Sequence, residues 1–133
     1  TVVAGIRAND IGQYESAVDI ALGNSVTAPV AGTNTTLGLV ATNISLSKAQ
    51  LKKIAEMAHD GMARAIRPIH TQFDGDTVFA VSVPGSEAEM TAYAEAQVNS
   101  IGIAAAKALE LAIVDAVSCA KSVGGVVASC DWQ

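Results

Sequence analysis

Asn34 and Thr35 sit in the stretch Gly32-Thr33-Asn34-Thr35-Thr36, directly ahead of the apolar run Leu37-Gly38-Leu39-Val40-Ala41-Thr42. A Thr hydroxyl is a weak nucleophile until a base takes its proton. If the chain is cut just before Thr35, the α-amino group so released, with an ordinary pKa of about 8, can be that base. Before the cut, the same hydroxyl can attack the carbonyl carbon of Asn34 and move the acyl group from nitrogen to oxygen. One residue would then supply both nucleophile and base. The plain alternative is packing, because the β-branch of threonine suits an extended backbone and Thr33 and Thr36 open a strand well.

Asp74 and Asp76 flank Gly75. Two carboxylates two residues apart in a tight turn can face a common point, where they could orient the Thr35 hydroxyl, hold its ammonium form or share a proton. The same Asp-Gly-Asp is equally a solvated turn ahead of a strand. His59 and His70 lie at a spacing with no usual metal geometry and read as structural or surface residues. Thr1 is formally an N-terminal Thr, but Val2-Val3-Ala4 gives it no polar neighbour.

The elements that must position these groups follow from periodicity. Thr1–Ile6 reads as a strand, and the sequence from Tyr14 to Leu22 has helical spacing and stops at Gly23-Asn24. A Ser, Thr, Pro, Ala and Gly loop from Ser25 to Thr33 leads to Asn34-Thr35. Thr36–Thr42 is a near-continuous apolar run, as in a strand covered on both faces. Ser45 or Ser47 caps a helix reaching about Arg67, with an apolar stripe of Leu51, Ile54, Ala58, Met62, Ala65 and Ile66; Pro68 ends it. After Asp74-Gly75-Asp76 comes a strand, Thr77–Val83, broken by Pro84-Gly85. Ser86 to Glu89 has capping-box spacing and opens a long Ala-rich helix to about Lys121, with Gly102 as a bend or a point of close approach and Gly124-Gly125 as its stop. The tail to Gln133 shows no strong pattern. Strands alternating with helices predict an α/β domain, a sheet with covering helices.

Composition narrows the function. The chain has 133 residues, half of them apolar, which is enough for one core. The net charge of −5, with scattered Lys and Arg, argues against nucleic acid as a partner. The apolar stretch Val98–Val117 is interrupted by Lys107, Glu110 and Asp115, so it reads as a buried helix and not a membrane span. Cys119 and Cys130 lack metal-ligand spacing and could be free thiols in a reducing cytosol or one surface disulfide; the free-thiol reading, which we favour, suggests a cytoplasmic setting. No cofactor motif is evident. The absence of an initiator Met suggests a piece of a longer precursor.

Taken together, GTNTTLGLVATN, the segment MARAIRPIHTQFDGDTVFAVS and the closing SVGG resemble the C-terminal portion of the P1 family peptidases. These are the DmpA-like aminopeptidase/esterases, which include β-aminopeptidases and the nylon-oligomer endoamidase. The resemblance implies a precursor that cuts itself between Asn34 and Thr35, with residues 1–34 ending an α chain and residues 35–133 forming the β chain. Thr35 would be the N-terminal nucleophile of an amide hydrolase needing no cofactor or metal. Asp74 and Asp76 occupy the positions of two polar site residues, as in the nylon-oligomer endoamidase; the family's aminopeptidases have Ser and Glu there. The resemblance further implies a four-layer αββα sandwich, a small peptide or amide substrate, the α-chain portion of the precursor as partner, and a homo-oligomer of αβ units. Two rival functions remain at this point: an ornithine-acetyltransferase-like acyl transferase, and a non-catalytic α/β interaction domain in which GTNTT only opens a strand.

Overall fold

A computed structural model of the chain describes residues 2–23, 35–84 and 94–132. Thr1, Asn34, the Ser25 to Thr33 loop and the expected capping box at Ser86 to Glu89 lie outside the described residues. Within them the fold is mixed α/β. Ile6–Arg7 (β1) pairs antiparallel with Tyr14–Glu15 (β2), and a short helix Ala17–Leu22 (α1) follows. The helix expected from Tyr14 therefore begins only at Ala17: the Ser16 side chain accepts from the Asp19 amide and caps it, leaving Tyr14 and Glu15 extended. The strand expected over Thr1–Ile6 is corrected too: Val2–Gly5 form no strand, and the paired one is Ile6–Arg7, because only those two residues lie opposite β2.

The centre of the chain is a β–α–β unit. Leu37–Thr42 (β3) and Thr77–Ser82 (β4) run parallel, in a register that pairs Leu37 with Thr77 and Thr42 with Ser82. The connecting helix, Lys48–Ala65 (α2), is opened by Ser47 in a full capping box with Gln50. It ends before Pro68, whose peptide bond with Arg67 is cis. The stripe read from its spacing is the buried one: Ile54, Ala58 and Met62 have no exposed surface. They pack on Val98, Ala105 and Leu109 of the long helix Ala94–Cys119 (α3), with Val40, Val78 and Ala80 of the sheet against the same core.

Small residues let α2 and α3 meet at backbone distance. A Cβ on Gly61 would overlap the carbonyl of Ala106, and one on Gly102 would overlap the Met57 thioether. Gly102 is thus a point of close approach within one continuous helix.

One expectation is corrected. Among the described residues the β3–β4 sheet is covered on one face only, where Gly38, Val40, Val78 and Ala80 meet the helices. The other face leaves Leu37 69%, Leu39 65% and Phe79 57% exposed. The run is apolar on both sides, but the described helices lie on one.

Beyond α3, which ends at Cys119, the chain turns at Gly124 and Gly125, both with positive φ, and closes with a 3₁₀ turn at Ser129–Asp131. This patternless tail lies against the front of the chain. Ser129 bonds the Tyr14 hydroxyl at 2.9 Å and the Val3 carbonyl, the Trp132 indole donates to Gln13, and Arg7 donates to Val127 while stacking over Trp132. Cys119 and Cys130 are free and exposed. No helix among the described residues is long and apolar enough to cross a membrane.

Candidate active site

The parallel register is what assembles the site. Because Leu37 lies opposite Thr77, stepping two residues back along each strand brings Thr35 beside Gly75 and Thr36 beside Asp76. A Cβ built on Gly75 would stand 2.7 Å from the Thr35 hydroxyl oxygen, so the hydroxyl rests against the middle residue of Asp74-Gly75-Asp76. The peptide of Thr36 is fixed from both sides: its carbonyl accepts from the Thr77 amide at 3.0 Å and its amide donates to Asp76 Oδ1 at 2.9 Å. Thr35 is exposed, Thr36 half-buried, Leu37 exposed and Gly38 buried. The strand's two-residue alternation thus carries Thr35 to the open side of the sheet and Thr36 to the other.

The two carboxylates have different tasks. Asp74 Oδ2 accepts from the Thr71 amide at 2.7 Å, and its own amide returns a bond to the Thr71 carbonyl, which closes the turn. Asp76 is the better-buried group, its side chain only 5% exposed. Its Oδ2 takes two donors from one residue, the His70 amide at 3.1 Å and the His70 ring Nδ1 at 2.9 Å. Neither carboxylate bonds the Thr35 hydroxyl among the described residues; Asp76 acts on the neighbouring amide.

His70 is the residue that sequence spacing did not pick out. It has φ +57°, a left-handed conformation that turns its amide and ring toward the same oxygen. Its Nε2 lies 3.3 Å from Nδ1 of His59 on α2. The signal in the sequence was only a His six residues before an Asp, across a turn whose shape no periodicity predicts.

Burial alone would raise the Asp76 pKa, but the bonds from the Thr36 and His70 amides, then the His70 ring, outweigh it and hold the carboxyl below the ordinary aspartate value. A depressed pKa contributes stability that is complete above the unfolded carboxylate range and is lost as pH falls through the lower, folded value. Asp76→Asn turns an amide NH₂ toward donors that need an acceptor, so it should destabilise the fold by about 1.5–3 kcal/mol at neutral pH. Urea melts at stepped pH should show that gap narrowing below about pH 4. A gap independent of pH would refute the assigned role of the charge.

The family model of peptidase family S58 matches residues 1–129. An uncharacterized aminopeptidase of Mycobacterium leprae (strain TN) is 41% identical over 110 residues, covering 77% of this chain and 30% of its own. An uncharacterized aminopeptidase of Mycobacterium tuberculosis (strain ATCC 25618 / H37Rv) is 45% identical over 100 residues, 70% of this chain and 29% of its own. A 6-aminohexanoate-oligomer endohydrolase of Agromyces sp. (strain KY5R) is 35% identical over 78 residues, 59% of this chain and 21% of its own. The chain therefore spans less than a third of the length of these relatives.

Proposed function

The chain belongs to peptidase family S58, and from that membership we propose that it carries the nucleophile of a self-processing amide hydrolase, Thr35. The observation that supports this most directly is the contact of the Thr35 hydroxyl with Gly75, between the two carboxylates the sequence singled out. In the self-cleavage step the Thr35 oxygen bonds to the Asn34 carbonyl carbon, the peptide C–N bond breaks, and the proton passes to the departing nitrogen. Water then hydrolyses the ester, leaving the Asn34 carboxylate and a free amine on Thr35.

In turnover that amine accepts the hydroxyl proton as the oxygen attacks a substrate amide. The proton goes to the leaving amine, an ester to Thr35 forms, and water releases the acid. Asp76 fixes the Thr36 amide and with it the geometry of the preceding residue, while Asp74 holds the turn that brings Gly75 against the hydroxyl. Oxyanion donors would come from backbone amides or from the α-chain portion of the precursor.

The names of the relatives, aminopeptidases and an oligomer endohydrolase, favour a small peptide or amide substrate and water as acceptor over acyl transfer to an amine. The bare apolar face of β3–β4 supports the four-layer reading, in which a second sheet, supplied by the rest of the precursor, covers Leu37, Leu39 and Phe79.

Self-cleavage is the direct test. Intact mass and N-terminal sequencing of active protein should find a chain beginning Thr-Thr-Leu-Gly, because only a cut between Asn34 and Thr35 places the amine on the reacting residue. An active protein with one uncut chain, or a cut one residue away, would overturn the assignment.

A further inference from the structure

We propose that His70 is a positioning residue for the Thr35 nucleophile, acting through Asp76, with His59 as its anchor on the core helix. The inference rests on the Thr35 reading and extends it to residues that touch neither the hydroxyl nor the amide bond to be cut.

The geometry is a continuous chain of contacts. His59 stands on α2 next to Ala58, which is fully buried, and faces the His70 ring with centroids 4.8 Å apart at 66°. A carboxylate only accepts, so His70 Nδ1 must carry the proton that bonds Asp76 Oδ2. With Nδ1 protonated, the neutral ring leaves Nε2 as the acceptor for His59 Nδ1–H. With Oδ2 taking two donors, the carboxylate is held from turning, and Oδ1 stays on the Thr36 amide.

Thr36 is one peptide unit from the Thr35 Cα, which carries the hydroxyl-bearing side chain and, after self-cleavage, the amine. A shift of Thr36 would therefore move both reacting groups and lift the hydroxyl off Gly75. Misplacement of about 1 Å can cost on the order of 100-fold in rate, and loss of a comparable supporting hydrogen bond 10- to 100-fold.

The backbone of His70 makes the test selective. Glycine adopts φ +57° freely but lacks the ring donor, whereas asparagine tolerates that conformation and carries an NH₂ where His has Nδ1. In the full-length protein, with L-alanine p-nitroanilide as probe, His70→Gly should lower kcat by about 10- to 100-fold with KM within about 3-fold. It should slow the appearance of the chain beginning at Thr35 in freshly translated protein by a similar factor. His70→Asn should restore both to within about 5-fold of wild type. If His70→Gly fails to fold, His70→Gln is read instead against His70→Asn, because its amide reaches the Nε2 position and misses Asp76; kcat should fall as expected for Gly.

Wild-type kcat in both His70→Gly and His70→Gln, a loss expressed only in KM, or a loss that asparagine does not restore would each overturn the proposal. Thr35→Ala measured alongside separates the two levels. Hydrolysis surviving in Thr35→Ala removes the nucleophile reading itself, whereas an inactive Thr35→Ala beside a fully active His70→Gly removes only the positioning role.

Discussion

Thr35→Ala is expected to give a folded, uncut protein whose amide hydrolysis has fallen by on the order of 10⁴-fold or more. The fold should survive because Thr35 is exposed and precedes β3, so its hydroxyl holds no core together; surface changes of this kind usually stay within about 0.5 kcal/mol. The chemistry should not survive, because in the proposed mechanism the same oxygen opens the chain and then attacks substrate. Thr36→Val is the matched control. Its carbonyl and amide bonds to Thr77 and Asp76 belong to the backbone and remain, and the side chain points to the other side of the strand. A loss below about 10-fold is expected there, since neither reacting group is removed. Hydrolysis rates and intact masses of the two variants decide the matter: near-wild-type hydrolysis in Thr35→Ala, or equal damage from Thr36→Val, would return this stretch to a packing role.

The second large effect concerns stability and has an informative sign. In an ordinary helix, Gly to Ala gains about 1 kcal/mol from propensity. Gly61→Ala should instead cost about 3 kcal/mol or more, because the new methyl meets the Ala106 carbonyl and approaches the Glu110 amide of α3. Backbone cannot swing aside as a side chain can, so relief requires the whole helix to retreat from a core that includes Ile54, Met62 and Leu109. Gly102→Ala meets the Met57 thioether, a flexible group, and should cost roughly 1–2 kcal/mol. Urea melts of both variants test this, and a stabilised Gly61→Ala would show that the helices are not in backbone contact there.

Much of this was legible in the residues, and the parts that were not have a common cause. The cap at Ser47, the stripe Ile54–Ala58–Met62 and the stop at Pro68 are local signals, and each lies where the pattern puts it. The meeting of Thr35 with Gly75 was legible only as a possibility, because it depends on the parallel register of two strands 40 residues apart (Leu37 with Thr77), which no local pattern sets. His70 is the structural, exposed residue its spacing suggested, but its partner was not legible: the bond to Asp76 needs a left-handed backbone that a His can adopt but does not announce. The tail was illegible for the opposite reason, since Ser129 and Trp132 find their partners more than a hundred residues away.

That tail bears on what a cut would mean. Residues 3 to 14 are fastened to residues 127 to 132 by Arg7, Tyr14, Ser129 and Trp132, so the stretch between them forms a closed ring of chain. Breaking the peptide bond at Asn34 opens the ring without setting its halves adrift. The piece ahead of such a cut would stay fastened through residues 3 to 14, and the local concentration of its new terminus near Thr35 would be set by the length of chain from Tyr14 to Asn34 and not by dilution of the protein. Scission at a point inside such a ring would change which residues are chain ends while the bonds of Arg7, Tyr14, Ser129 and Trp132 stay in place.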